Sequence, residues 1–282
     1  MTEEHAASTD PATPATPATS HDGMAHVLEG IQSVHDRLSE IEGLARAAIG
    51  GSAPGAPGTR VPAWRRPSDG EARWQVSLTT AVAIVFQLPI SGRAVLVHPG
   101  WIIPTVQGVL LIGLVVANPH RINRESRLLR SVSLTLATLL SVGNAWSASV
   151  LVLDIVHGKG PSSPSSLLVT GLAIWLTNVI VFALWYWEFD QGGPVARALA
   201  TKPRYPDFLF ANMTVWDDQN LCPKDWKPTF TDYLYLSFTN ATAFSPTDTL
   251  PLSRQAKMAM TLQALVSLIT GTLVVARAVN IL

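Results

Sequence analysis

The sequence predicts an all-α fold, a polytopic membrane helical bundle of about five spans with an N-terminal cytoplasmic amphipathic or coiled-coil helix. Three observations predict it. Only 14% of the 282 residues are charged, against roughly 25% in globular proteins. The mean hydropathy is +0.26. Five apolar runs approach or exceed the ~20 residues that cross a hydrocarbon core of ~30 Å.

Charge and motif content exclude several classes of function. The formal net charge is zero, so no overall field attracts nucleic acid, and we expect no nucleic-acid partner. The single cysteine, Cys222, has no partner for a disulfide, and the seven histidines lack metal-ligand spacing. No phosphate-binding glycine loop or nucleophile motif is present. We therefore expect no enzyme activity, no cofactor and no metal site.

The N-terminal part divides into three segments. Residues 1–23 form a Pro/Ala/Thr-rich tail that is expected to be disordered. Residues 24–49 carry an apolar seam spaced by four and three residues, typical of a short coiled coil or of an amphipathic helix lying on the membrane domain. Residues 50–73 begin with Gly, Pro and Ser and predict a flexible linker. The seam consists of Val27, Ile31, Val34, Leu38, Ile41 and Ala45.

The apolar runs place four spans within residues 74–187 and a fifth near the C-terminal end. The first run is the weakest, because Pro89 and Arg93 interrupt it. The runs are Gln75–Ile90, Trp101–Ala117, Ser131–Val156, Ser166–Trp187 and Met258–Val279.

Basic residues predict the orientation of these spans. Eight arginines flank the start of the first span and fill the loop after the second, whereas the loops on the opposite side carry only Arg93 and Lys159. Because bases concentrate on the cytoplasmic side, the pattern predicts a multi-pass protein of the cell membrane with a cytoplasmic N-terminus. Residues 188–228 then form a cytoplasmic loop. The aromatic residues 185–187 are typical of a belt at the membrane boundary.

Polar side chains inside apolar runs are candidate functional groups, because a buried amide without a partner is costly in lipid. Two interpretations stay open: ordinary packing between helices, or the lining of a wet cavity. The candidates are Asn144, Asn178, Gln263 and Ser267.

Residues 229–282 predict a half-helix, a polar turn and the last span. The apolar part around Tyr233–Phe238 is too short to cross a bilayer, and it runs into crowded hydroxyl, amide and carboxylate groups. One interpretation is a re-entrant segment, which membranes tolerate only inside protein or against a water-filled cavity. The other is a surface helix and turn with a capping Asp. The polar candidates are Thr239, Asn240, Thr242, Ser245, Thr247 and Asp248.

The stretch DYLYLSFTNATAFSPTDTLPLSRQAK at residues 232–257 resembles the C-terminal signature of a domain of unknown function in multi-pass bacterial membrane proteins, chiefly actinobacterial. The resemblance covers residues 185–282 and implies no activity. More remotely, the segment is similar to the pore region of potassium channels, with residues 242–248 where such channels have their filter. No glycine lies in this turn, so the resemblance does not imply a ring of inward-facing carbonyls selective for potassium.

Two functions from different classes follow from the sequence. The first is an ion-channel-like or solute-permeating homo-oligomer in the lipid bilayer, in which the polar turn binds an inorganic ion and Glu188 and Asp190 lie at the pathway mouth. The alternative is a non-transporting membrane scaffold or assembly protein, in which the cytoplasmic coiled coil recruits partners.

Overall fold

The computed structural model of the chain divides into two units, residues 1–60 and residues 61–282. It describes residues 32–35, 37–39, 61–68, 70–88, 90, 96–117, 121–122, 127–159, 163–200, 205–218, 220–242 and 248–281. In the first unit, residues 32–35 and 37–39 are helical, and the seam residues Val34 and Leu38 are exposed. The predicted tail, the first part of the linker and most of helix 24–49 lie outside the described residues. Pairing of the seam as a coiled coil stays a prediction.

The described residues of the second unit form eight α-helices and two pairs of two-residue strands. The helices are α1 Arg73–Gln87, α2 Ile102–Ala117, α3 Arg127–Val156, α4 Pro164–Phe189, α5 Pro194–Leu199, α6 Ala211–Thr214, α7 Phe230–Thr242 and α8 Arg254–Ile281. The antiparallel strand pairs are β1 Glu71–Ala72 with β2 Arg121–Ile122, and β3 Phe208–Leu209 with β4 Leu250–Pro251. Short 3-10 turns occupy Ala63–Arg65 and Asp190–Gly192.

Three helical segments are long and apolar enough to cross a membrane: Leu128–Val156, Pro164–Leu199 and Arg254–Asn280. The predicted helical fold with membrane-spanning helices is confirmed at this level. The first two apolar runs form shorter helices, of 15 residues in α1 and 16 in α2. At about 1.5 Å per residue they measure about 23 Å, which is less than the ~30 Å core. The count of five spans is therefore not confirmed.

Prolines explain why α1 and α2 are short. Helix α1 ends at Gln87 and is followed by Leu88-Pro89, whereas α2 ends at Ala117 and is followed by Asn118-Pro119. Proline has no backbone N–H and its ring clashes with the carbonyl four residues earlier, so the helical hydrogen bonds stop before it. Pro104 is tolerated because it lies in the first turn of α2, where its missing N–H has no helical acceptor.

Helix α4 is the centre of the bundle. It packs against α1, α3, α7 and α8. Of the residues in its most apolar stretch 67% are buried, against 22% for the corresponding stretch of α8. A helix that is apolar on every side is expected to be surrounded by other helices. Ser163 starts it as an N-cap that accepts a hydrogen bond from the Ser166 N–H, with Pro164 in the first helical position.

One end of the bundle, here called the Asp190 end, gathers several helix termini. The pairing of β1 with β2 brings the start of α1 close to the end of α2, so these two helices run antiparallel. Residues 187–190 at the end of α4 contact Glu71, Ser133 and Tyr233. These contacts bring the starts of α1, α3 and α7 to the same end of the bundle. The pairing of β3 with β4 and a hydrogen bond from Leu252 N to Asp207 O bring in the start of α8.

Helix α4 approaches α8 closely at Gly171. A Cβ at Gly171 would lie 2.7 Å from a Val274 methyl carbon, whereas one at Gly113 would meet nothing within 4 Å. We expect Gly171→Ala to lower the free energy of unfolding by about 1–3 kcal/mol through overpacking. The matched Gly113→Ala should leave it unchanged or raise it by up to ~1 kcal/mol. Thermal unfolding of both variants in detergent measures this, and equal midpoints would contradict the close approach.

Candidate functional site

Helix α7 lies against α4 and ends near its middle. At the Asp190 end, Tyr233 Oη donates to Asp190 Oδ2 at 2.5 Å. One turn further, Ser237 Oγ donates to the Val179 carbonyl at 2.6 Å, and the Phe238 ring meets the Trp175 ring edge-on with centroids 5.8 Å apart. Because the partners on α4 move from residue 190 to residue 175, α7 runs antiparallel to α4 over about half of its length.

The chain then returns to the end from which α7 started. After residues 243–247, which lie outside the described residues, β4 pairs with β3. The Leu252 N–H donates to the Asp207 carbonyl at 2.8 Å, and the Asp207 N–H donates to Asp190 Oδ1 at 2.7 Å. The segment from α7 to β4 therefore begins and ends at the Asp190 end.

The sequence itself fixes where α7 begins. Asp232, in the first turn, accepts hydrogen bonds from the backbone N–H of Thr229 at 2.7 Å and from its hydroxyl at 2.9 Å. This is half of a capping box, in which an acidic group three residues into the helix satisfies the N–H at the cap. A carboxylate at this position also interacts favourably with the helix dipole.

Gln263 of α8 joins three helices through its side-chain amide, which is fully buried. Its Oε1 accepts from Tyr186 Oη at 2.6 Å and from Asn240 Nδ2 at 2.8 Å. Its Nε2 donates to the Ser237 carbonyl at 2.9 Å and to Ser237 Oγ at 2.6 Å. Both polar atoms of the amide therefore have two partners each, on α4 and α7.

The other predicted polar residues of α7 and α8 also have partners inside the chain. The Thr239 and Thr242 hydroxyls donate to carbonyls of α7 itself. Asn240 Nδ2 reaches the Met260 carbonyl at 2.9 Å as well as Gln263. Asn178 Nδ2 donates to Ser267 Oγ at 3.0 Å. Asn240 and Asn178 therefore join different helices, whereas Thr239 and Thr242 bond within α7.

Three predicted residues do not join this cluster in the structure. Asp248 is exposed on the returning segment, just before β4. Ser245 and Thr247 lie outside the described residues. A role of these three groups in binding an ion stays a prediction.

Amides that the sequence analysis missed lie where α1, α2 and α3 meet. Gln107 is fully buried, and its Nε2 lies 3.4 Å from Gln87 Oε1, a long hydrogen bond. Among the residues that the structure describes, Gln107 Oε1, Gln87 Nε2 and the Oδ1 of the buried Asn144 find no hydrogen-bond partner. The signal for Gln87 and Gln107 was present in the sequence, because both interrupt apolar runs in the same way as Asn144.

The Asp190 end is built around Arg197, whose guanidinium is buried. Nη1 donates to the carbonyls of Trp187 and Asp190, both at 2.8 Å. Nη2 pairs with Glu71 Oε1 at 2.9 Å, and Glu71 Oε2 accepts from Trp187 Nε1 at 2.7 Å. The guanidinium carbon also lies 5.1 Å from the centre of the Tyr233 ring, within range of a cation–π interaction.

Glu188 and Asp190, predicted at the mouth of a pathway, are buried inside the chain. Glu188 accepts a hydrogen bond from Ser133 of α3, and Asp190 accepts from Tyr233 and from the Asp207 N–H. Burial raises the pKa of Tyr233 well above its ordinary value, so the phenol stays protonated and keeps donating to Asp190. Within one chain these carboxylates connect helix ends. Their role at the mouth of a pathway stays a prediction.

A glycine allows the sharp turn after α4. Gly193 has φ of +99°, and a Cβ there would lie 2.8 Å from the Glu188 carbonyl oxygen. Other residues rarely adopt this conformation. Gly193 therefore lets the chain fold back so that Arg197 of α5 reaches the end of α4.

Within the described part of the chain, no group of three or more His, Cys, Asp or Glu residues is placed to hold a metal ion. The described clusters offer amides, hydroxyls, the carboxylates of Glu188 and Asp190, and the buried guanidinium of Arg197. Their chemistry is hydrogen bonding between helices.

Removing the Arg197 charge should destabilise the whole Asp190 end. Arg197→Met leaves the half-buried Glu71 carboxylate and the buried Asp190 carboxylate without their cation, and we expect a loss of about 3–5 kcal/mol in the free energy of unfolding. The exposed Arg66→Met serves as the control and should change it by less than about 0.5 kcal/mol. Denaturant or thermal unfolding in detergent measures both variants. A loss for Arg197→Met no larger than the control would show that the cluster carries little stability.

Removing the Gln263 amide should loosen α7 from α8. Hydrogen bonds between membrane helices average ~0.6 kcal/mol each, so loss of the Gln263 bonds in Gln263→Leu should cost about 2 kcal/mol. The control is Gln255→Leu, an exposed glutamine two turns away on the same helix. Limited proteolysis around residues 243–247 provides the local readout, and we expect faster cleavage in Gln263→Leu alone. Equal cleavage of the two variants would contradict the role given to Gln263.

Comparisons with protein-family models, with curated proteins and with solved structures found no match. The resemblances noted for residues 185–282 and 242–248 therefore stay predictions, and function is inferred from the arrangement of α4, α7 and α8.

Proposed function

We propose that the chain is a multi-pass protein of the cell membrane whose copies form a homo-oligomeric, pore-like structure that lets an ion or a small solute permeate. The observation that carries the proposal is the path of α7 and the segment after it. The segment leaves the Asp190 end, reaches the middle of the central helix and comes back to the same end.

The length of α7 fits a re-entrant segment better than a surface helix. Its 13 residues measure about 20 Å, which does not cross a core of ~30 Å. Its contacts with Val179 and Trp175 lie against the middle of α4, which is the most apolar of the candidate spans. A half-helix that ends at that depth needs surrounding protein or a water-filled cavity. We therefore propose that the end of α7 lies beside the pathway.

The arrangement of α1 and α2 supports five crossings. The two helices run antiparallel, α1 starts at the Asp190 end, and α2 returns to it. Helices shorter than the core are accommodated by local thinning of the bilayer or by oligomerisation, at modest cost. In this topology α1 to α4 and α8 alternate in direction.

Charge supports a cytoplasmic position for the Asp190 end and for the N-terminus. Bases cluster at that end, whereas Lys159 and Arg277 lie near the opposite end of α3 and α8. The positive-inside rule then places the Asp190 end in the cytoplasm. The bases at this end include Arg65, Arg66, Arg73, Arg130, Arg197, Arg254 and Lys257.

The pathway we propose is not a potassium filter. Residues 242–248 contain no glycine, and the segment starts from the cytoplasmic end, whereas the filter of a potassium channel faces outside. The hydroxyl and carboxylate groups predicted for the turn, including Ser245, Thr247 and Asp248, suit a weakly selective site for an inorganic cation. Asn240 ties α7 to α8, whereas the Thr239 and Thr242 hydroxyls bond within α7.

The scaffold alternative is favoured by one observation. The polar side chains of α7 find hydrogen-bond partners within the chain, which a helix that only packs a bundle also requires. In that case the helix at 24–49 supplies the function by recruiting a partner or a second copy.

Ion flux separates the two functions. We expect proteoliposomes of the wild-type chain to pass monovalent cations, and Asp248→Ala to pass them more slowly, because a carboxylate near an entrance raises the local cation concentration. One charge at about 4 Å in water contributes ~1 kcal/mol, which corresponds to at most about a fivefold change. The exposed Asp218→Ala serves as the matched control and should behave as wild type. Absence of flux from folded, inserted protein in every ionic condition would exclude the pore and leave the scaffold.

A further inference from the structure

A groove of about 520 Å³ runs along the outer face of α8, beside the end of α7. Its volume falls within the range of about 300–1,000 Å³ that is usual for small-molecule sites. Lys257 lies at one end of the groove, Thr261 follows it, and Ala264, Leu265 and Leu268 form the rest of the α8 wall.

The polarity of this wall changes along the helix. Arg254, Lys257, Thr261, Leu265 and Leu268 are spaced by three and four residues, so they occupy one face of α8. The face begins with two exposed bases, continues with a hydroxyl and ends with exposed leucines. Lys257 and Leu268 are 11 residues apart, which corresponds to about 16 Å of helix and to about half of a ~30 Å hydrocarbon core.

No described residue neutralises the two bases. Among the described residues, the ion pair shown by the structure is that of Arg197 with Glu71, and neither Arg254 nor Lys257 takes part in one. The Lys257 ammonium therefore keeps its three donors for another acceptor.

Contacts of α8 place these bases at the Asp190 end. Gln263 is hydrogen-bonded to Tyr186, four residues before Asp190 at the end of α4. Lys257 lies six residues, or about 9 Å, further toward the Asp190 end. With that end at the membrane surface, Lys257 reaches the headgroups and the leucines of the same face lie in the hydrocarbon.

We propose that this groove binds an anionic phospholipid of the leaflet at the Asp190 end. The lipid phosphate accepts hydrogen bonds from Lys257 and Arg254, and one acyl chain lies along Ala264, Leu265 and Leu268. Basic pockets beside membrane helices on the cytoplasmic side hold acidic headgroups in this way. The site depends on insertion of the chain into a bilayer and is independent of permeation.

A second copy of the chain fits this face less well than a lipid does. The face carries bases and no acid, so two identical faces would repel each other in a symmetric contact. A lipid has its anionic headgroup at one end and its hydrocarbon chain at the other. This matches the order of the bases and the leucines along the face.

Native mass spectrometry of the full chain in detergent tests the proposal. We expect wild-type protein to retain phosphatidylglycerol more strongly than phosphatidylcholine with the same acyl chains. Because each base near the surface contributes about a fivefold preference for anionic lipid, Lys257→Gln should reduce the preference about fivefold, and Arg254→Gln with Lys257→Gln should abolish it. The exposed Lys224→Gln is the charge control and should retain it.

A second pair of variants tests the groove itself without changing charge. Ala264→Phe fills the apolar part of the groove and should release the bound phosphatidylglycerol, whereas Ala276→Phe, at an exposed position of α8 outside the groove, should not. Inorganic phosphate at the same concentration should not displace the lipid, because it lacks the acyl chain. Unfolding midpoints equal to wild type confirm that each variant is folded.

Three results would overturn the proposal. Equal retention of the two lipids by wild-type protein would exclude an anionic site. Displacement by inorganic phosphate alone would show a free-anion site. Loss of a higher oligomer in Ala264→Phe, with lipid retention unchanged, would show that a second copy covers the groove. Flux is measured separately, so loss of the pore proposal would leave this result unaffected.

Discussion

The buried guanidinium of Arg197 is the interaction on which the arrangement of the Asp190 end depends. It joins Glu71 before α1, the carbonyls of Trp187 and Asp190 at the end of α4, and the ring of Tyr233 on α7. A buried cation is stable only when carboxylates and carbonyls surround it, so these segments must meet at one place. Because these segments meet there, α7 starts beside the end of α4. The turn at Gly193 lets α5 reach the same place.

A second constraint sets how far α7 extends along α4. Amides and hydroxyls within an apolar bundle need partners, because lipid offers none. Ser237 finds Val179, and Gln263 satisfies Tyr186, Asn240 and Ser237 together. Since these partners lie on α4 and α8, the half-helix is held between the two helices down to the middle of α4. Helix α7 therefore ends beside the middle of α4.

The sequence predicted the helical class, the long apolar helices and the short helix before the last span, because these follow from hydropathy and length. It also predicted Asn178, Gln263 and Ser267 as candidate functional groups, since amides and hydroxyls in apolar runs are costly to bury without a partner. It did not predict which groups pair. The contact of Glu71 with Arg197 joins residues 126 positions apart, and no local pattern encodes such a distance. The first run was predicted to extend to Ile90, whereas α1 ends at Gln87, because Pro89 outweighs the apolar residues around it. Helix α2 ends at Ala117, where the apolar run ends.

Helix α8 presents two different faces, and their difference limits how copies can assemble. The inward face carries Gln263, Ser267 and Thr270, all buried against the chain itself. Part of the outward face is the groove, with bases toward the Asp190 end that an identical face would repel. The rest is apolar and exposed, including Met258, Leu262 and Ile269. Because apolar surface alone does not drive association in lipid, contacts between copies would need close packing there. Copies that meet on this surface leave the groove open to the bilayer, so oligomer formation and lipid binding are compatible.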